Sequence, residues 1–172
     1  MGRGTNSNLR PATTRFIGRE QEREQLQSLY DEGHRLVTIF GPAGTGKTRL
    51  AEALGREAVA RLALGGVWIC ELAEVRDLDG LCSIIERTLG VPARPSGNAS
   101  DQVTRLGRAI AARGPLLLIL DNFEQLAALA PTSVSVWLQE APDLRLMVTS
   151  REQLRVKGEV RFELSPLSVP GV

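Results

Sequence analysis

The sequence predicts an α/β domain of three layers, in which a parallel sheet of about five strands lies between helices, and three observations predict it. Short apolar runs alternate along the chain with longer segments of helical periodicity, the pattern of strand–helix–strand units joined by right-handed crossovers. One run, Leu116-Leu117-Leu118-Ile119-Leu120, is apolar at every position, which a strand tolerates when helices cover both faces of its sheet. A glycine-rich stretch, residues 41–48, joins the first run to a helical segment. With 172 residues, 42% of them hydrophobic and 24% charged, the chain can build one full core.

Residues 1–14 carry Gly, Asn, Ser, Thr and Arg without apolar periodicity and are expected to form a flexible leader, with order beginning near Phe16 and a single core over 15–172. Residues 19–32 place Leu26, Leu29 and Tyr30 on one side of a polar helix that stops at Gly33. Residues 36–40 form the first buried strand, ending at Gly41-Pro42. Leu50, Leu54, Ala58 and Leu62 define a helix from about Lys47 to before Gly65, and residues 67–70 a second strand. Leu78, Leu81, Ile85 and Leu89 make a helix closed by Gly90, on which Asp77 and Asp79 read as caps.

A loop is expected over 91–100, then a helix on Val103, Leu106 and Ile110 that Gly107 weakens by ~1 kcal/mol relative to Ala. Residues 116–120 are the central strand. Helical material over 124–140, interrupted at Pro131, leads to a fourth strand at 144–149, a short helix at 151–154 and a fifth strand at 160–164.

Gly41-Pro42-Ala43-Gly44-Thr45-Gly46-Lys47-Thr48 matches G-x-x-x-x-G-K-[ST] between a predicted strand and a predicted helix, as a phosphate-binding P-loop (Walker A) requires. Its glycines let backbone N–H groups face phosphate oxygens at a helix N-terminus. Lys47 is placed to neutralise β- and γ-phosphates, and Thr48 to put its hydroxyl on Mg²⁺. The partner acid (Walker B) should end a buried strand, and Asp121 directly follows the central one. The fold class is therefore a P-loop nucleotide-binding αβα sandwich. The extra strand between the two motifs, and the polar Thr149-Ser150-Arg151 ending the strand after Asp121, point to its additional-strand branch, with Arg151 a candidate sensor of the γ-phosphate.

Other classes fall away. Lys+Arg 21 against Asp+Glu 20 leaves a formal charge of +1, which removes the electrostatic basis for direct nucleic-acid or polybasic membrane binding. Guanine recognition through N-K-x-D is impossible with Lys47 and Lys157 as the only lysines, so ATP is favoured over GTP. Cys70, Cys82 and the single histidine, His34, cannot build a four-ligand zinc site, and the thiols read as buried and reduced. The chain has no apolar h-region or membrane-length apolar run, so a cytoplasmic protein is expected.

Phe16-Ile17-Gly18-Arg19-Glu20, the P-loop with Thr48-Arg49-Leu50-Ala51, Gly66-Val67-Trp68, Leu118-Ile119-Leu120-Asp121-Asn122-Phe123-Glu124 and Val148-Thr149-Ser150-Arg151-Glu152 together resemble a known family over residues 9–170. It is the signal-transduction ATPase (STAND, NB-ARC-like) module of large bacterial transcriptional regulators of LuxR and AfsR type. The resemblance implies that Ile17 and Arg19 lie near adenine, that the P-loop with Arg49 holds ATP or ADP, that Thr48 and Asp121 serve Mg²⁺, and that Arg151 senses the γ-phosphate. It also implies a helical lid, a winged-helix domain and an effector, none of which fits within these residues. Self-association or contact with other domains of a longer regulator would supply the partners.

One departure bears on chemistry. Many relatives follow the Walker B acid with a glutamate that polarises water, and here the neighbour is Asn122, with Glu124 the nearest acid. Three functions stay open: a nucleotide-dependent switch that hydrolyses ATP slowly through Lys47, Asp121, Glu124 and Arg151, a module that holds ADP without turnover, and a small-molecule kinase.

Overall fold

The structure, a computed structural model, describes residues 6–61, 65–95 and 97–167. Five strands, β1 (Leu36–Phe40), β2 (Val67–Glu71), β3 (Leu116–Asp121), β4 (Leu144–Ser150) and β5 (Glu159–Glu163), pair in the order β2-β3-β4-β1-β5, every neighbouring pair parallel. The helices are α1 (Glu20–Asp31), α2 (Lys47–Arg61), α3 (Leu78–Leu89), α4 (Ala99–Ala111) and α5 (Val134–Glu140), with 3₁₀ turns over Glu124–Thr132. This is the three-layer αβα fold expected, with β4 inserted between β1 and β3.

The alternation within β3 divides the core. Leu116, Leu118 and Leu120 pack with α3, α4 and α5 on one face, and Leu117 and Ile119 pack with α1 and α2 on the other. All six positions of β3 are buried: the five apolar residues are covered on both faces, and the sixth is Asp121. Gly107 has a packing reason: a Cβ there would stand 2.9 Å from the Cβ of Glu140 and 3.3 Å from Trp137, so its absence lets α4 and α5 close up.

Four expectations are corrected. Residues 6–10, read as part of a flexible leader, run along the open edge of β2. Val67 N–H donates to the Asn6 carbonyl (2.9 Å), and the Asn8 side chain both donates to the Ile69 carbonyl (2.9 Å) and accepts from its N–H (2.8 Å), imitating a strand backbone. Helix α4 begins at Ala99, within the expected loop, because the Asn98 side chain accepts from Asp101 N–H at 2.8 Å. Residues 151–154 are not helical: Glu159 accepts from the N–H groups of Leu154 (2.9 Å) and Arg155 (3.0 Å) and from Thr38 Oγ1 (2.7 Å), which holds the chain in a bend. The same glutamate begins β5 one residue earlier than expected.

Asp77 caps α3 by accepting from Gly80 N–H at 2.7 Å, so it serves helix architecture. Both cysteines are buried and free, and burial pushes the Cys70 thiol to about 11 and the Cys82 thiol to about 12. Leu62, expected on α2, lies outside the described residues. Among the described residues no helix is long and apolar enough to cross a membrane.

Candidate functional site

The carboxyl ends of the parallel strands meet the N-terminus of α2 at one edge of the sheet. Between β1 and α2 the chain turns through Gly44 (φ 79°) and Gly46 (φ 88°), left-handed conformations that side chains rarely adopt, with open space where a Cβ would stand. Thr45 Oγ1 donates to the Pro42 carbonyl at 3.0 Å and closes the loop from within. Lys47 is 9% exposed, and its Nζ donates to the carbonyls of Gly41 (2.9 Å) and Pro42 (2.8 Å). Burial lowers the pKa of this ammonium, the nearby charges of Glu124 and Asp121 oppose the shift, and Arg151 adds to it.

Asp121 ends β3 with 2% exposure, tolerable for a carboxylate only because donors surround it. Its Oδ1 accepts from Thr48 Oγ1 at 2.7 Å and from Thr149 Oγ1 at 2.5 Å, and its Oδ2 from Asn122 Nδ2 at 3.2 Å. The chain then reverses through Asn122 at φ 62°, a conformation asparagine tolerates better than most residues. Thr149 receives both amides of this turn, Asn122 N–H on its hydroxyl (2.9 Å) and Phe123 N–H on its carbonyl (2.9 Å).

The turn delivers Glu124 to the same cleft, where Arg151 Nε lies 3.5 Å from Glu124 Oε1. Glu124 Oε2 is buried without a hydrogen-bond partner among the described residues. A cleft of about 490 Å³ is lined by Ala43, Gly44, Gly46, Lys47, Thr48, Arg49, Asn122, Glu124 and Arg151. Residues predicted from three separated motifs are thus brought together, with Asp121 directly behind Thr48. Phosphate oxygens fit a loop that presents N–H groups and Lys47, and the hard oxygens of Thr48 and Asp121 fit Mg²⁺.

Ile17 and Arg19 divide. Arg19 is buried, and its Nη2 donates to the carbonyls of Thr45 (3.0 Å) and Ser165 (2.7 Å) while its Nη1 donates to Glu22 Oε1 (3.1 Å). It fastens the start of α1 and the segment after β5 onto the P-loop, and does not itself line the cleft. Ile17 is 80% exposed and lies outside the cleft lining. Sequence reasoning noted Thr149 only as the polar end of a strand. Its three bonds to residues 121–123 depend on β4 pairing with β3, which periodicity cannot specify.

Residues 15–153 match the family described as the AAA ATPase domain. The chain is 35% identical over 156 residues to an uncharacterised protein of Mycobacterium tuberculosis, covering 91% of this chain and 38% of that protein. It is 29% identical over 136 residues to a candidate HTH-type transcriptional regulator of the same organism, covering 79% of this chain and 15% of the regulator. The ORC2 protein of Aeropyrum pernix, solved as ADPNP–ADP complexes, superposes with a TM-score of 0.62 at 20% identity over 85% of this chain and 47% of that one. The chain therefore spans between about a seventh and just under half of the length of these proteins.

Arg19→Ala is expected to lower stability by about 2 kcal/mol, because two carbonyls lose a charged donor. Arg19→Lys should restore it only in part, since an ammonium lacks the guanidinium fork. Urea denaturation checks this, and an alanine variant as stable as the parent would contradict the fastening role.

Proposed function

The chain belongs to the AAA ATPase domain family, and we propose that it is the ATP/ADP-binding core of a regulatory switch of the STAND (NB-ARC-like) class that hydrolyses ATP slowly with Mg²⁺. The observation that carries the reading is the 2.7 Å hydrogen bond from Thr48 to Asp121, which joins residues 73 positions apart at the N-terminus of α2. In this reading the P-loop amides and Lys47 hold the β- and γ-phosphates, and Arg49 lies at the mouth of the cleft. Thr48 and Asp121 hold Mg²⁺, which supplies charge neutralisation across those phosphates. Arg19 keeps the loop in shape, and Ile17 offers an exposed apolar side chain to the base.

Glu124 is the acid available to orient and deprotonate water, and Arg151 the cation available to the γ-phosphate. Their mutual contact at 3.5 Å, with Asn122 standing next to Asp121, supports slow turnover, since each is engaged by the other and positioning contributes much of phosphoryl-transfer catalysis. The partial coverage of longer relatives, one named as a candidate HTH-type transcriptional regulator, supports a module that signals to other domains or to further copies of itself. A formal charge of +1 supports no direct role in nucleic-acid contact for this segment.

Calorimetric titration with ATP and ADP, with and without Mg²⁺, tests the reading. The parent should bind both nucleotides, Lys47→Ala should abolish ATP binding with the fold intact, and Asp121→Asn should weaken Mg²⁺-dependent binding more than Mg²⁺-free binding. Unchanged affinity in the lysine variant would remove the P-loop from the account.

Glu124→Gln is expected to slow phosphate release by about 100-fold or more, the usual contribution of a general base. A normal rate would exclude it as the base, and absence of release from the parent would favour a module that holds nucleotide without turnover.

The lowered Lys47 pKa gives a pH dependence. Phosphates bind the protonated ammonium, so affinity should fall as pH rises through that pKa, below the range in which an ordinary lysine titrates. A decline confined to the ordinary lysine range would contradict the burial argument.

A further inference from the structure

We infer that Thr149 is a positioning residue for the metal-binding arm of the site: its hydroxyl fixes the Asp121 carboxylate, so it governs Mg²⁺ affinity without touching Mg²⁺ or nucleotide. The inference rests on the reading of Thr48 and Asp121 as the Mg²⁺ pair. Thr149 is fully buried on β4, and its hydroxyl is committed to Asp121 and Asn122, so it reaches a ligand through those neighbours.

Geometry assigns each of its groups a task. The hydroxyl has one proton, which goes to Asp121 Oδ1 at 2.5 Å, and its lone pairs accept Asn122 N–H at 2.9 Å. The carbonyl accepts Phe123 N–H, also at 2.9 Å. Thr149 therefore bonds three consecutive residues, 121 to 123, and holds the left-handed turn at Asn122 that follows the carboxylate.

Two hydroxyls converge on Asp121 Oδ1 from different elements. Thr48 lies on α2 beside the P-loop, where its oxygen must also serve the cation, whereas Thr149 has no such second duty. The bond from Thr149 is thus the one that stays constant and sets the carboxylate plane, while Oδ2, among the described residues, accepts from Asn122 Nδ2 at 3.2 Å. Groups that hydrogen-bond a metal-binding carboxylate in this way tune metal affinity through its orientation.

The test is a MgCl₂ titration of the full chain with ADP present, read as nucleotide affinity by calorimetry, with circular dichroism to check folding. Thr149→Val keeps the shape and removes both hydroxyl bonds. It should raise the Mg²⁺ concentration for half-maximal effect about tenfold or more, while Mg²⁺-free ADP affinity stays within about twofold. Thr149→Ser should restore the parent's Mg²⁺ requirement. Thr149→Ala takes the place of the valine variant if that does not fold. Combined with Asp121→Asn, the valine change should add no further loss. A valine variant with the parent's Mg²⁺ requirement, or one weakened equally with and without Mg²⁺, would overturn the positioning role. A parent whose ADP affinity ignores Mg²⁺ would overturn the underlying reading of Thr48 and Asp121 as well, so the two failures are distinct.

Discussion

Insertion of β4 between β1 and β3 is the constraint on which the site depends. With neighbouring strands about 4.8 Å apart, the strand that launches the P-loop and the strand that ends in Asp121 stand about 10 Å from one another. A threonine side chain on α2 closes that distance from above, and the end of β4 fills it from within. The register Ile39↔Thr149 and Leu120↔Val148 sets Thr149 beside Asp121, one position before Ser150 and two before Arg151. Carboxylate, hydroxyls and guanidinium arrive together because parallel strands place all their carboxyl ends at one edge.

Burial makes this polar edge possible and gives it its chemistry. Each face of the sheet has its own apolar cluster, so the backbone beneath the site is held rigidly by packing that the polar groups need not supply. Asp121 is tolerated at 2% exposure because its oxygens accept bonds from Thr48, Thr149 and Asn122. Lys47, Asp121, Glu124 and Arg151 carry two charges of each sign. Among the described residues every member is engaged with a neighbour or with P-loop carbonyls, and in the proposed reading a polyphosphate would compete for both cations.

Much of this was legible in the sequence, and the reasons are local. The P-loop announces itself by residue types at fixed spacing, Asp121 by its place after a five-residue apolar run, and the fold by the alternation of strand and helix patterns. What escaped depends on tertiary pairing. Asn8 reads as polar leader until its amide is seen pairing with Ile69, and Glu159 reads as a surface acid until it is seen holding residues 154 and 155 in a bend. The sequence near Arg19 carries no sign that its guanidinium bonds two backbone carbonyls, one of them 146 residues away. Gly107 read as a defect within a helix and instead lets two helices meet.

Hydrogen exchange with and without MgATP tests the central claim most directly, that one ligand engages the P-loop, the end of β3 and the end of β4 as a single site. The account predicts that nucleotide protects amides in residues 41–49, 121–124 and 149–152 together, with protection of the last two segments reduced when Mg²⁺ is withheld. Protection confined to the P-loop, or unchanged at 121–124 and 149–152 whether or not Mg²⁺ is present, would contradict it.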